Sequence, residues 1–211
     1  NPEQDMEGAS GSGFFINSEG YAVTNYHVVG DVKNINMSIK GKKFNAKVIA
    51  TDAVNDLAVL KSVQKNQDYF RLTKEDAERM DDVTAVGYGF GKAMSDEIKA
   101  TRGVVSALAG LGNNYSQIQI DAAIQPGNSG GPVINKNGDV IGVAVAKADA
   151  AAVFQHTGTI AEGISFAIKT STLKQFLKSN RVKFEIADIE SRDKKNINQL
   201  IDVAALFIYH P

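Results

Sequence analysis

Cysteine is absent from the 211 residues, which excludes a disulfide framework, thiol catalysis and any cysteine-based zinc site. That absence leaves the compartment open, because a core of this size does not need disulfides even where they could form. Histidine is nearly as scarce. His27, His156 and His210 are the only three, no two stand at metal-ligand spacing, and no metal site is expected. A formal net charge of −1 gives no electrostatic case for nucleic acid or for an anionic membrane. No apolar run approaches the roughly 20 residues that cross a bilayer, so membrane insertion is not expected. Nor is a nucleotide or other cofactor. Gly87-Tyr88-Gly89-Phe90-Gly91-Lys92 lacks the phosphate-loop spacing and the Ser or Thr after the lysine, and reads as a strand-ending turn.

What is present is an ordinary globular composition, with 43% hydrophobic residues, in a length that suits one all-β domain. Short strand-like runs cover residues 13–17, 21–25, 34–40, 43–51, 57–62, 83–88, 97–107, 116–120, 132–135, 140–146 and 164–168. Turn signals such as Ser18-Glu19-Gly20, Lys40-Gly41-Lys42, Asn113-Asn114 and Asn137-Gly138-Asp139 separate them. Many short strands without alternating long helices argue for barrels or a sandwich. Helix is expected as single turns over 27–30 and 73–80, then over 171–179 and 191–205. The last of these turns Ile197, Leu200, Ile201 and Ala204 inward, and a short strand is expected over 206–209. The run Arg192-Asp193-Lys194-Lys195 reads as a solvated helix face.

The chemistry concentrates in Gly127-Asn128-Ser129-Gly130-Gly131-Pro132, where small residues give substrate and backbone N–H groups close access to one serine. Alone, such a run is equally a tight turn. Two further segments weigh against that. Tyr21-Ala22-Val23-Thr24-Asn25-Tyr26-His27 delivers a histidine at the end of a β-rich run, and Asp56-Leu57-Ala58-Val59-Leu60-Lys61 opens an apolar strand with an aspartate. Acyl transfer by serine needs a base for the hydroxyl proton and an acid that holds that base in the right tautomer. Ser129, His27 and Asp56 supply those types in the chain order His, Asp, Ser. An α/β-hydrolase esterase would need the order Ser, acid, His. Asp52 is the rival acid but lacks the Asp-Leu-Ala context. Ser10 and Ser12 lie in another Gly/Ser patch with no base beside it, and read as the entrance to the first strand.

Gly11-Ser12-Gly13-Phe14-Phe15-Ile16, Thr24-Asn25-Tyr26-His27-Val28-Val29, Asp56-Leu57-Ala58, Asp121-Ala122-Ala123-Ile124-Gln125-Pro126-Gly127-Asn128-Ser129-Gly130-Gly131-Pro132 and Gly163-Ile164-Ser165-Phe166-Ala167-Ile168 together resemble the HtrA/Deg family of trypsin-like serine proteases. The resemblance runs from about residue 11 to about 169. It implies an all-β fold of two antiparallel six-stranded β-barrels of the chymotrypsin type, here followed by C-terminal helices. The expected partition is an N-terminal extension over 1–10 and a protease domain over 11–180. Within it, barrel one spans about 11–92, barrel two about 96–170 and a helix about 171–179. Residues 181–211 would form a C-terminal extension of helix and short strand.

The resemblance further implies endopeptidase activity on unfolded or flexible proteins, in the bacterial periplasm or outside the cell. Catalysis would fall to His27, Asp56 and Ser129, with the N–H groups of Gly127 and Ser129 as oxyanion hole. Ala123 would be the floor of the specificity pocket, and Ile124, Lys147 and Ile164 would line it. Lys147 stands where the family usually carries an apolar residue. An inward ammonium would favour acidic substrates; an outward one, or one paired with Glu162, would leave the pocket apolar, and the apolar outcome is preferred. Too few residues follow for a PDZ domain. Residues 1–10 carry none of the aromatics of the family's trimer contact, so a monomer or weak oligomer is expected, with that trimer as the alternative. A module that keeps the fold but binds without cleaving is the alternative function.

Overall fold

Among the described residues, which are 9–65, 68–89, 97–146, 155, 158, 163–188 and 192–210 of a computed structural model, β-branched and aromatic runs form twelve strands. The first half contributes β1 (Ser10–Phe15), β2 (Tyr21–Thr24), β3 (Asn34–Ile39), β4 (Lys42–Asp52) and β5 (Leu57–Ser62). After a linking segment come β6 (Asp82–Gly87), β7 (Lys99–Ala107), β8 (Gln117–Ile120), β9 (Pro132–Ile134), β10 (Val140–Val145) and β11 (Ser165–Lys169). The helices described in full are α1 (Tyr26–Val29), α2 (Thr170–Ser179) and α3 (Lys194–Ala204), and the last strand described is β12 (Ala205–Tyr209).

The strands close two antiparallel barrels, the fold of the chymotrypsin type. One runs β1-β12-β3-β4-β5-β2 and the other β10-β11-β8-β7-β6-β9. Their cores are separate. Phe15, Ile35, Met37, Leu60 and Leu206 fill the first, and Val83, Val105, Ile118, Ile120 and Val133 fill the second. A third cluster, including Phe14, Phe70, Leu72, Val140, Leu173 and Leu200, lies between the barrels and under α2 and α3. Neighbours in sequence thus serve different cores: Phe14 joins the inter-barrel cluster and Phe15 the first barrel.

The expected partition needs one correction. Residues 181–211 are not wholly an extension, because β12 lies inside barrel one, pairing Ser10 with Tyr209 through Phe14 with Ala205 on one side. On its other side Phe207 faces Ser38 and Tyr209 faces Asn36 of β3. The reason is arithmetic of edges. The first half supplies five strands, and the apolar Ala205-Leu206-Phe207-Ile208 run provides the sixth that leaves no open edge. Ser10 likewise belongs to β1 and not to an N-terminal extension.

The single turn of helix expected over 73–80 is also absent. Side chains take up its backbone groups instead: Thr73 Oγ1 donates to Glu75 O at 2.8 Å, and the Glu78 N–H donates to Asp81 Oδ2 at 2.8 Å. Asp76 instead caps α2 from outside, accepting the Ser171 N–H at 2.9 Å and the Ser171 hydroxyl at 2.6 Å. It thereby satisfies an amide that the helix leaves open, since Lys169 offers no side-chain cap there. In α3 the cap is local, with Asp193 accepting from the Asn196 N–H at 2.8 Å.

Arg71 fastens the linking segment to the turn before β10 and to the segment after α2. Its Nε donates to Asp139 Oδ1 at 3.0 Å and its Nη1 to Asp188 Oδ1 at 2.6 Å. Burial pushes the Asp139 carboxyl up from its ordinary value, and the guanidiniums of Arg71 and Arg192 only partly pull it back. Burial alone would lower Arg71, but Asp139 and Asp188 more than offset that and hold it above its ordinary value. Arg71→Ala should cost about 3–5 kcal/mol by leaving the buried carboxylate without its main partner. A carboxyl with a raised folded pKa contributes stability below its unfolded pKa and loses it as pH rises through the folded one. Removing Arg71 moves that loss further upward, so the deficit of the variant against the parent should widen as pH rises from the ordinary carboxylate range toward neutrality. Thermal melts of both chains across that range test this; a deficit that does not change with pH would contradict the assignment to Asp139.

Candidate active site

The chain leaving β2 passes Asn25 and enters α1, which carries His27 in its first turn. Asp56 precedes β5 with φ of 57°, a left-handed conformation that aspartate tolerates better than most residues. Asn25 anchors this turn by donating from Nδ2 to Asp56 O at 2.9 Å. The Asp56 carboxylate then meets His27 twice, accepting the backbone N–H on Oδ1 at 2.8 Å and contacting Nδ1 through Oδ2 at 2.6 Å. Both side chains are about one-fifth exposed, at 24% and 20%. A carboxylate on Nδ1 fixes the proton there and leaves Nε2 as acceptor. Asp52 does something else: its carboxylate takes the Val54 and Asn55 N–H groups and the Asn55 amide, closing its own turn.

Ser129 sits in a loop whose peptide groups can be accounted for one by one. Gln125-Pro126-Gly127-Asn128 forms a tight turn in which the Asn128 N–H donates to Gln125 O at 2.9 Å. Proline at the second position and φ of 96° at Gly127 make it type II. The next peptide is held at Asn128 O by the Gly131 N–H, 2.9 Å away. Ser129 O accepts from the Ser12 N–H at 2.8 Å, and the Gly130 N–H donates to Ala144 O at 2.9 Å. Two donors remain. Neither the Gly127 N–H nor the Ser129 N–H has a partner among the described residues, so this turn leaves two amides available to an oxyanion.

The Ser129 hydroxyl is buried, 4% exposed for the residue, and Oγ accepts from the Ala146 N–H at 3.1 Å. Among the described residues no hydrogen bond joins it to His27. His27 and Asp56 are thus coupled, while the Ser129 hydroxyl is turned toward the end of β10 and the serine loop packs against Asn25 at the entry to α1. Of the residues expected to shape specificity, Ala123 is exposed and its carbonyl accepts from Thr101 Oγ1 at 2.7 Å. Ile124 and Ile164 are half-buried. Lys147 and Glu162 lie outside the described residues.

Sequence reasoning missed Ser12. Its residue is 1% exposed, its Oγ donates to Gly127 O at 2.7 Å and accepts from the Tyr88 N–H at 2.9 Å, and its carbonyl accepts from Thr24 Oγ1 at 2.7 Å. The signal available was the pair of glycines around it. A Cβ at Gly11 would stand 2.8 Å from Ser129 O, so β1 must be bare where the serine loop crosses it.

Residues 11–143 match the trypsin-like peptidase domain family. A probable periplasmic serine endoprotease DegP-like from Bartonella henselae is 42% identical over 173 residues, covering 79% of this chain and 32% of the relative. An uncharacterized protein, y4bJ, of Sinorhizobium fredii is 38% identical over 179 residues, 84% of this chain and 28% of that one. Among solved structures, the HtrA-type protease AlgW with decapeptide superposes with a TM-score of 0.67 at 33% identity, covering 81% of this chain and 51% of its own. The serine endoprotease from Yersinia pestis gives a TM-score of 0.64 at 29% identity, over 81% of this chain and 57% of that one. The chain spans about a third of the length of the curated relatives it matches.

Proposed function

The chain belongs to the HtrA-type trypsin-like serine proteases, and we propose that it is an endopeptidase that cleaves unfolded or flexible proteins through His27, Asp56 and Ser129. The observation that carries this reading is the double engagement of Asp56 with His27, at 2.8 and 2.6 Å, beside a serine flanked by two free amides. In the reaction Ser129 Oγ rotates to His27 and attacks the substrate carbonyl carbon, and Nε2 takes the hydroxyl proton. The carbonyl oxygen gains the negative charge and accepts from the Gly127 and Ser129 N–H groups. Asp56 holds Nδ1–H and stabilises the imidazolium. Collapse of the tetrahedral adduct breaks the C–N bond, the amine leaves with the proton from Nε2, and water then releases the acyl group by the same steps in reverse.

A small apolar residue before the scissile bond suits a pocket built on Ala123, Ile124 and Ile164; an acidic one would signal an inward Lys147. The periplasmic names of the relatives support a periplasmic location. Among the described residues no helix is long and apolar enough to cross a membrane. The second reading, a module that binds without cleaving, rests on the Ser129 Oγ contact to Ala146 at 3.1 Å in place of one to His27. Incubation of unfolded casein with the chain and with Ser129→Ala, with cut sites mapped by mass spectrometry, separates the two. Cleavage that disappears in the variant is expected; casein binding without cleavage by the folded parent would replace the endopeptidase reading with the second.

A further inference from the structure

We propose that Ser12 is the positioning residue of the oxyanion turn: from the opposite barrel, its hydroxyl fixes the Gly127 carbonyl and so keeps the two free amides aimed at one point. The inference rests on the reading of Ser129 as nucleophile. Three observations converge on it. The Gly127 carbonyl and the Asn128 N–H belong to the same peptide, and both ends of that peptide are tied, one to Ser12 Oγ at 2.7 Å and the other to Gln125 O at 2.9 Å. The hydroxyl is itself oriented, because it accepts from the Tyr88 N–H at 2.9 Å and therefore turns its proton to Gly127. Its backbone is equally committed, with N–H to Ser129 O at 2.8 Å and carbonyl to Thr24 Oγ1 at 2.7 Å. Ser12 therefore holds the turn at Gly127 and at Ser129, the two residues whose amides are free.

The consequence follows from turn geometry. Types I and II differ by a flip of the central peptide, here Pro126–Gly127, which carries the Gly127 N–H. A fixed Gly127–Asn128 peptide, with φ of 96° at Gly127, holds that N–H in the type II orientation. Loss of the Ser12 hydroxyl releases the Gly127 carbonyl and removes the acceptor that the Tyr88 N–H uses, so the turn is free to rearrange toward new partners. The effect should fall on the transition state, where the oxyanion exists, and spare ground-state binding.

The test uses the full chain with Ser12→Ala and Ser12→Cys, the latter keeping a weak donor of similar volume. Three readouts are needed: kcat and KM on a fluorogenic peptide drawn from a mapped casein site, affinity for the matching peptide boronate, and amide exchange by mass spectrometry over residues 125–131. For Ser12→Ala, kcat should fall roughly 10- to 100-fold with KM within about threefold, short of the loss expected for an entire oxyanion donor. Boronate affinity should fall in step with kcat, and exchange over 125–131 should accelerate roughly tenfold without a general rise across the barrels. Ser12→Cys should lie between the parent and Ser12→Ala. Unchanged kcat with unchanged exchange would overturn the proposal while leaving the protease reading in place. A uniform rise in exchange, with kcat tracking only the folded fraction, would overturn it in favour of a merely structural role. Were the parent itself unable to cleave, the exchange arm would still decide for or against Ser12, and the failure of the protease reading would be seen separately.

Discussion

Asp56→Asn should lower kcat on the order of 10⁴-fold while leaving the fold in place. The size follows from which atoms the carboxylate serves. Oδ1 accepts the His27 backbone N–H at 2.8 Å, and an asparagine oxygen can still do so. That choice points the asparagine NH₂ at Nδ1, 2.6 Å away in the parent, where it can only donate. Nδ1 must then be an acceptor and the proton moves to Nε2, the atom that receives the Ser129 proton in the proposed reaction. The loss is therefore in tautomer and not in position. Kinetics on the fluorogenic peptide beside a thermal melt would show it; a loss under about tenfold with unchanged melting would remove Asp56 from the role. Asp52→Asn, by contrast, touches only its own turn and should change kcat less than about twofold.

Gly130→Ala should both silence the chain and destabilise it. The backbone there has φ of 86°, which costs a residue with Cβ roughly 1–2 kcal/mol. An added Cβ would also lie within van der Waals contact of the Ser12 carbonyl and the Thr24 hydroxyl, and 2.9 Å from the Asn25 nitrogen. None of these is the yielding end of a long side chain, so the serine loop must shift off β1. Overpacking of this kind adds about 1–3 kcal/mol. The expected result is a Tm lower by about 10 °C and cleavage reduced at least about 100-fold. Gly112→Ala separates the two costs. Its φ is 65°, but nothing lies within 4 Å of a Cβ there. It should lose only the backbone contribution and keep full activity, and equal damage from both variants would show that crowding at Gly130 is not the cause.

The residues proposed as a triad stood out in the sequence because each has a chemically telling neighbourhood: small residues around Ser129, a β-rich approach to His27, an aspartate opening an apolar run; the structure joins His27 to Asp56 directly. The strands were legible for the same reason, since period-two burial and turn residues are local signals. Ser12 was not, because its partners Gly127 and Tyr88 lie 115 and 76 positions away and a serine between glycines looks like any strand entrance. The segment over 73–80 misled because its polar residues suit a helical turn as well as they suit capping α2 from a distance. The place of β12 was hidden most completely. A short apolar strand announces its existence, but nothing local says which edge it fills.

That edge has a kinetic consequence. Barrel one begins with β1, near the start of the described chain, and closes only when β12 arrives roughly 200 residues later. Bringing ends that far apart together costs on the order of 5 kcal/mol of chain entropy before any pairing returns it. Barrel two draws all of its strands from 82–169 and meets no such delay. As the chain emerges from the ribosome, the second barrel can therefore mature while the first, which carries His27 and Asp56, still has an open edge. Because β1 is also the strand that Ser129 leans on, completion of the proposed site is tied to the arrival of β12 and not to the maturing of barrel two.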